Sequence, residues 1–567
     1  MTKVIWTCWF QGREHAPPLV ERCLRSWERI NPDWEFRCLD ATTVQRYVDL
    51  ARIVDLKRQS ITAAALSDIV RIMLLHEFGG VWVDATLSCN RPLNDWLPGV
   101  MHEGFFAFSA PAPDRVLSSW FLSAEANHPL IAAWFRRTLD YWSGRVQADD
   151  YFWFHHLFGD IVAAHDVAAE AWSRVPRVSA DAPHALQFGG RMYRPKDEVF
   201  DAIDWTTPVF KLRHPLPDGD AAPGSLLDYL LKRDDRRDTP SALAACAAPP
   251  SIAAAAAPNE FVSLKVSTEN LGDHIQIIAG QRLLSRLGIT PARTVDRDDE
   301  LDSAAALPSG DEPAGILLNG WFKSKHSAWP PHARYAPVLH GFHIRLFQCP
   351  PLVSEASIAF FRRHEPIGCR DVYTANLLRS KGVEVFVSNC LSLTYSRRIE
   401  RPETQTEVFV VSRDERIKEV LAPALDRYTF VSHYTGCHDF AANTAQAERV
   451  LDMYRSRAKL VVTTLLHCAL PAMAMGIPVV VFYPLNDEAG HASDRERFSS
   501  LETMVRVYRF DELDQVDWNP EPVDVGAVKF GVLDSFFKLA ARWGTAPPPP
   551  IGPIAPAAAA SAIAASR

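Results

Sequence analysis

SDIVRIMLLHEFGGVWVDAT, residues Ser67 to Thr86, reads as a buried helix, a glycine turn, a short strand and a carboxylate at the strand's end. Apolar side chains (Ile69, Val70, Ile72, Met73, Leu74, Phe78) surround nearly the whole helix, which marks it as buried rather than amphipathic. Asp68 and Arg71 lie three apart and so share one face, where they can pair in an apolar setting. Gly79-Gly80 supplies the helix stop and a sharp reversal, and Val81-Trp82-Val83 is strand-like. Asp84 then emerges where open α/β sheets place their ligand crevice.

Working outward, Val4–Trp9 and Glu35–Leu39 read as strands, and Pro17–Ile30 as a helix with proline near its start. Thr42–Leu56 reads as a second helix, capped by Thr42 or Thr43. This strand–helix alternation predicts a parallel α/β sheet. Phe105–Phe108 is a further strand, Pro129–Trp142 a helix, and Asp204–His214 closes the domain at about residue 231. Residues 232–258, charged and then rich in Ala and Pro, read as a linker. Residues 542–567 read as a disordered tail of the same material. Between them, 259–541 shows its own alternation: FVSLKV (Phe261–Val266), ILLNGWF (Ile316–Phe322), IGCRDVYTANLLRSKG (Ile367–Gly382) and VFVVS (Val408–Ser412). A clean βαβ unit follows over KLVVTT (Lys459–Thr464), a helix, and IPVVVF (Ile477–Phe482). Two such halves predict two Rossmann-like lobes facing a cleft.

At 567 residues with 47% hydrophobic and 23% charged residues, the chain is expected to form two or three ordinary globular domains. A net charge of −8 with dispersed basic residues gives no nucleic-acid footprint. The ten cysteines include no CxxC pair, which argues against zinc and for reduced thiols in the cytoplasm. No apolar run of about 18 residues is present, so no transmembrane segment is expected.

Two resemblances follow from these stretches. The Ser67–Thr86 segment, with IWTCWFQG (Ile5–Gly12), SWERINPDWEF (Ser26–Phe36) and YFWFHHLF (Tyr151–Phe158), resembles the capsular polysaccharide synthesis glycosyltransferases that carry a DXD sugar-binding motif. This implies a GT-A-like domain with a single Rossmann-like sheet, a nucleotide-sugar donor, and Mn²⁺ or Mg²⁺ held by Asp84. Here the second carboxylate is replaced, the triplet being Asp84-Ala85-Thr86. Asp68 and Arg71 would hold the donor, or would form a structural ion pair. His214 is a further metal-ligand candidate, against a plain surface or core histidine, and Asp84 itself could simply cap a turn.

The second block is similar to the polysaccharide pyruvyl transferases through NLGD (Asn270–Asp273), LLNGWF (Leu317–Phe322), GCRDVYTANLL (Gly368–Leu378), SNCLSLT (Ser388–Thr394) and LHCALPAMAMGIPVVVF (Leu466–Phe482). This implies a GT-B-like two-lobed fold and phosphoenolpyruvate as substrate, with no cofactor. His467 would be the acid with a near-neutral pKa, Asp273 the base, and Arg370, Asn270 and Gly272 would bind phosphate. The rival readings are a capping histidine, a helix-capping Asp273, and an Arg370 salt bridge to Asp371. The family usually has Arg where this chain has Leu465, and Arg455, Lys459 and Lys323 are candidates to replace it. Together the resemblances imply a bifunctional enzyme of bacterial surface polysaccharide biosynthesis. It would act on a glycan or lipid-linked saccharide in the cytoplasm, with the inner membrane face as a place of peripheral association. In the alternative, only one domain is catalytic and the other is a glycan-binding module.

Overall fold

The structure, a computed structural model, describes residues 1–126, 128–164, 166–187, 190–213, 222–233, 258, 260–303, 312–322, 329–345, 349–485, 497–545, 548–552 and 554. The chain divides into two compact units, one of Met1–Ile252 with Pro549–Arg567 and one of Ala253–Pro548. Most of the expected linker lies outside the described residues.

The first unit contains β1 (Val4–Cys8), β2 (Glu35–Leu39), β3 (Gly80–Val83), β4 (Leu87–Cys89), β5 (Phe105–Ala112), β6 (Arg115–Ala124) and β7 (Val209–Lys211). Five of them make a sheet in the order β2-β1-β3-β6-β5. β1 runs parallel to β2 and β3, whereas β6 is antiparallel to both β3 and β5. The sheet is therefore mixed rather than wholly parallel. Two residues separate β5 from β6, which is enough for a hairpin but not for a crossover helix.

The helix Ala63–Phe78 is buried on nearly every side, and the Thr62 hydroxyl caps it by accepting from the Ala65 N–H. Gly79 ends it at φ 66°. A Cβ there would sit 2.6 Å from the Ala126 nitrogen and 2.8 Å from the Ala124 oxygen, so only glycine lets the turn seat against the end of β6. That turn fixes where β3 starts, and hence where Asp84 emerges. The predicted Thr42–Leu56 helix is much shorter: Val44–Tyr47 stops at Val48 in extended backbone. Asp40, not a threonine, closes its start by accepting from the Thr42 and Thr43 N–H groups.

The second unit holds two sheets whose pairings are all parallel. The first comprises β8 (Glu260–Lys265), β9 (Arg293–Asp296), β10 (Ala314–Trp321), β11 (Tyr335–His343), β12 (Ile367–Cys369) and β13 (Val385–Val387), in the order β13-β12-β11-β10-β8-β9. The second comprises β14 (Glu407–Val411), β15 (Thr429–Val431), β16 (Ala458–Thr463), β17 (Val479–Phe482) and β18 (Val507–Tyr508), in the order β15-β14-β16-β17-β18. This is the two-lobed α/β arrangement that the alternation implies. Helices Leu271–Arg286, Val372–Ser380 and Leu466–Ala474 follow β8, β12 and β16, so their N-termini gather at the carboxyl edges of the strands.

The helix Gly526–Ala540 ties the lobes together. Its buried Lys529 donates to the Tyr395 and Ala474 carbonyls. Ordered structure continues past 541, since Trp543 is buried, donates to the Ala336 carbonyl and packs edge-on against Phe261. Trp543 thus lies packed within the stretch read from the sequence as tail, most of which lies outside the described residues. Among the described residues no helix is long and apolar enough to cross a membrane.

Candidate functional site

In the first unit Asp84 sits between two cations. Its Oδ1 accepts from Arg71 Nη2 at 2.9 Å and from Trp82 Nε1 at 3.1 Å, and its Oδ2 accepts from Lys211 Nζ at 2.8 Å. The same ammonium donates to Thr86 Oγ1 at 2.7 Å. The β4–β7 ribbon brings Lys211 there by pairing it with Leu87. Arg71 also reaches Asp68 Oδ1 and the Ser119 carbonyl, each at 2.9 Å, and lies over the Trp82 ring. Burial by itself would raise the Asp84 carboxyl. The charges of Lys211 and Arg71, with the hydrogen bonds from Lys211 and Trp82, outweigh it and hold the group well below the usual range.

Asp68 goes the other way. Burial pushes it up to about 7, opposed by Arg71 and reinforced by the charge of Asp84. One guanidinium serves two carboxylates, and the one with a second cation ionises first. The linkage sign follows. The folded pKa of Asp68 is raised, so its contribution to stability is full below about pH 4 and is lost as pH rises through about 7. Asp68→Asn should therefore flatten the fall in melting temperature of this unit between about pH 5 and about pH 8. An unchanged slope would show that Asp68 is ionised throughout.

The expected Mn²⁺ or Mg²⁺ site does not fit these residues. Both oxygens of Asp84 are held by cations, and Thr86 supplies a hydroxyl where a second carboxylate would stand. Among the described residues no group of three His, Cys, Asp or Glu side chains could hold a metal ion. His214 lies outside the described residues.

The second unit gathers a different set of side chains. Arg370, at the end of β12, is 2% exposed, and none of its three guanidinium nitrogens has a hydrogen-bond partner. Its nearest carboxylate, Asp371, lies 3.6 Å from Nε, beyond good hydrogen-bond range. Asp371 is used elsewhere: it caps the following helix through the Thr374 N–H at 2.8 Å and binds His343 Nδ1 at 2.6 Å. Burial brings Arg370 down to about 10, still charged at neutral pH. A buried charge short of partners is expensive, and an anion would supply them.

His467 opens the helix after β16 and is likewise buried, with Nε2 unpartnered. Its Nδ1 lies 3.4 Å from the Gln276 amide nitrogen. A Cβ on Gly272 would come within 3.2 Å of the His467 Cβ, so glycine permits the two helix starts to meet. Asn270 caps its helix by accepting from the Gly272 N–H at 3.0 Å. The expectation of a near-neutral His467 is corrected. Burial, then Arg370 and Arg497, hold it well below its ordinary value. Asp273 is as fully engaged: Oδ1 accepts from Trp321 Nε1 at 3.0 Å and faces Arg297 at 3.6 Å, and Oδ2 accepts from Thr268 at 3.2 Å. It has little freedom to act as the predicted base. His343 was missed. With Nδ1 committed to Asp371, its buried Nε2 has no partner and presents a lone pair. Of the replacements for the family arginine, Lys459 is exposed and Arg455 pairs with Asp452, while Lys323 lies outside the described residues. Arg497 is the cation whose field reaches His467, His343 and Arg370.

Residues 1–230 match the family described as capsular polysaccharide synthesis protein, and residues 270–486 match polysaccharide pyruvyl transferase. One chain carries both. The curated relatives match part of the chain only. O-glycosyltransferase braB of Annulohypoxylon truncatum is 28% identical over 168 residues, covering 26% of this chain and 40% of its own length. O-glycosyltransferase PaGT of Phomopsis amygdali is 26% identical over 165 residues, with the same coverage. The chain thus spans about two-fifths of the length of these relatives. Among solved structures, a putative UDP-N-acetylglucosamine 2-epimerase from Listeria monocytogenes aligns over 52% of this chain and 99% of its own, at 11% identity and a TM-score of 0.25. The double architecture implied by the motifs stands on the two family matches, and both families belong to polysaccharide-linked transfer chemistry.

Proposed function

We propose that the chain is a bifunctional transferase of bacterial surface polysaccharide synthesis. Its first unit moves a sugar from a nucleotide-sugar donor to a glycan or lipid-linked saccharide. Its second unit converts two hydroxyls of a sugar into a pyruvate ketal using phosphoenolpyruvate. The observation that carries the second activity is Arg370, a buried guanidinium with three unpartnered nitrogens beside two histidines whose Nε2 atoms are also unpartnered. Such a constellation suits a small anion bearing both phosphate and carboxylate.

The reaction adds a proton to C3 of the enol and two hydroxyl oxygens to C2, and it releases phosphate. One hydroxyl proton is accounted for on C3 and the other on the departing phosphate. Arg370, with Arg497 nearby, neutralises the phosphate as it leaves. With Gln276 donating to Nδ1, the hydrogen of His467 sits on Nε2, a buried atom with no hydrogen-bond partner. Burial first, and then the charges of Arg370 and Arg497, depress His467; an arriving anion offsets those charges and favours the protonated ring that would deliver a proton to C3. His343, oriented by Asp371, accepts from the attacking hydroxyl, a role that the engaged Asp273 is poorly placed to fill. Phosphate release from phosphoenolpyruvate in the presence of a galactoside or mannoside tests this. His467→Ala should slow it by about 10²- to 10³-fold; absence of release with every acceptor tried would remove the pyruvyl transferase reading.

A further inference from the structure

We propose that the first unit binds the diphosphate of its donor without a divalent metal, using the Lys211 ammonium in the metal's place. The inference rests on the glycosyltransferase reading above and specifies its chemistry. Lys211 Nζ stands 2.8 Å from Asp84 Oδ2 and 2.7 Å from Thr86 Oγ1, so the strand-end carboxylate already holds a cation, and that cation belongs to the protein. The replaced position of the triplet explains why it can. A carboxylate at 86 would make, with Asp84, a pair of anions for a divalent ion. The Thr86 hydroxyl instead accepts one ammonium hydrogen.

An ammonium has three hydrogens. Two are taken by Asp84 and Thr86, leaving one for an incoming phosphate oxygen. The backbone supports the placement: the Leu212 N–H donates to the Thr86 carbonyl at 3.0 Å, fixing β7 against the Asp84–Thr86 turn. Arg71 is the less accessible cation, because it is buried with Nη1 on Asp68 and the Ser119 carbonyl and Nη2 on Asp84. Lys211 is the more superficial of the two, and Asp84 beside it is a quarter exposed. In this arrangement both cations balance Asp84, and Lys211 is the more accessible of the two. A metal at Asp84 would have to displace Lys211 and then lie against it, two like charges at close range.

The test is calorimetric binding of ADP, CDP, GDP, UDP and dTDP to the full chain, in excess EDTA and again with Mn²⁺ or Mg²⁺. The expected result is that at least one binds in EDTA, with Kd shifted less than about threefold by metal. Lys211→Gln should weaken that binding by about tenfold or more in EDTA, with its melting temperature recorded to show that the unit is folded. The double variant Lys211→Ala with Thr86→Asp, which rebuilds the carboxylate pair, should bind the same diphosphate only when Mn²⁺ is added. Binding by the parent chain that requires metal overturns the inference and leaves the donor reading intact. If no diphosphate binds under either condition, the donor reading falls, and the inference with it.

Discussion

Replacement of Arg370 by Met is expected to abolish phosphoenolpyruvate turnover while making the second unit harder to unfold. A guanidinium that meets a departing phosphate in a dry site contributes about 10³-fold or more to rate, so phosphate release should fall by at least that much. Stability should move the opposite way. The buried nitrogens of Arg370 lack partners before substrate arrives, and a buried polar group left unsatisfied costs about 1–3 kcal/mol. Met keeps the length of the stem and removes the charge. Asp371 is not orphaned by the change, because His343 and the Thr374 N–H still hold it. The melting temperature of this unit should therefore rise by a few degrees, at about 2–4 °C per kcal/mol. Inorganic phosphate should raise the melting temperature of the parent by mass action and leave Arg370→Met unmoved. A variant that is less stable yet still turns over would make Arg370 a structural residue and remove the main support for the anion site.

The difference between legible and hidden features follows sequence separation. The helix Ala63–Phe78, its glycine stop and the Asp68–Arg71 pair were readable because they depend on contacts three or four residues apart. The βαβ unit of β16, Leu466–Ala474 and β17 was readable for the same reason, since short apolar runs flank a glycine stop. β11 escaped because Pro337, His340, Gly341 and His343 interrupt its apolar pattern, although the strand is buried along almost all its length. With β11 went His343, whose partner Asp371 is 28 residues away. β6 escaped for another reason. It is buried on both faces between β3 and β5, so it shows no alternation, and only the short hairpin makes it antiparallel.

Charge roles were the least legible of all. Asp84 and Lys211 are 127 residues apart, and nothing near either residue announces the other. The metal expectation rests on the resemblance to DXD-carrying glycosyltransferases, and a motif match does not show which counter-ions the fold brings to Asp84. His467 illustrates the same limit in a different way. Its position at a helix start could be read, but its depressed pKa depends on burial and on Arg370 and Arg497, contributed by distant parts of the unit. A buried group takes its electrostatics from whatever the fold brings around it.

That dependence gives the largest stability effect in the first unit. Asp84→Asn removes the one carboxylate shared by Arg71 and Lys211 and leaves two neighbouring cations with only Asp68 for balance. Breaking a buried pair from one side costs about 3–5 kcal/mol; because Asp84 is a quarter exposed, about 2–4 kcal/mol is the better expectation once solvent screening is allowed for. The remaining carboxylate should respond too. Without the charge of Asp84 above it, Asp68 has Arg71 to itself, so its raised pKa should drop and the pH slope of stability between about pH 5 and about pH 8 should shrink. The double variant Asp84→Asn with Lys211→Met separates ion pairing from packing. It discards the ammonium that the single change strands, so it should recover about 1–3 kcal/mol relative to Asp84→Asn. If instead the losses from Asp84→Asn and Lys211→Met simply add, the two side chains act independently, and the picture of a lysine held in a metal's place by its carboxylate is wrong.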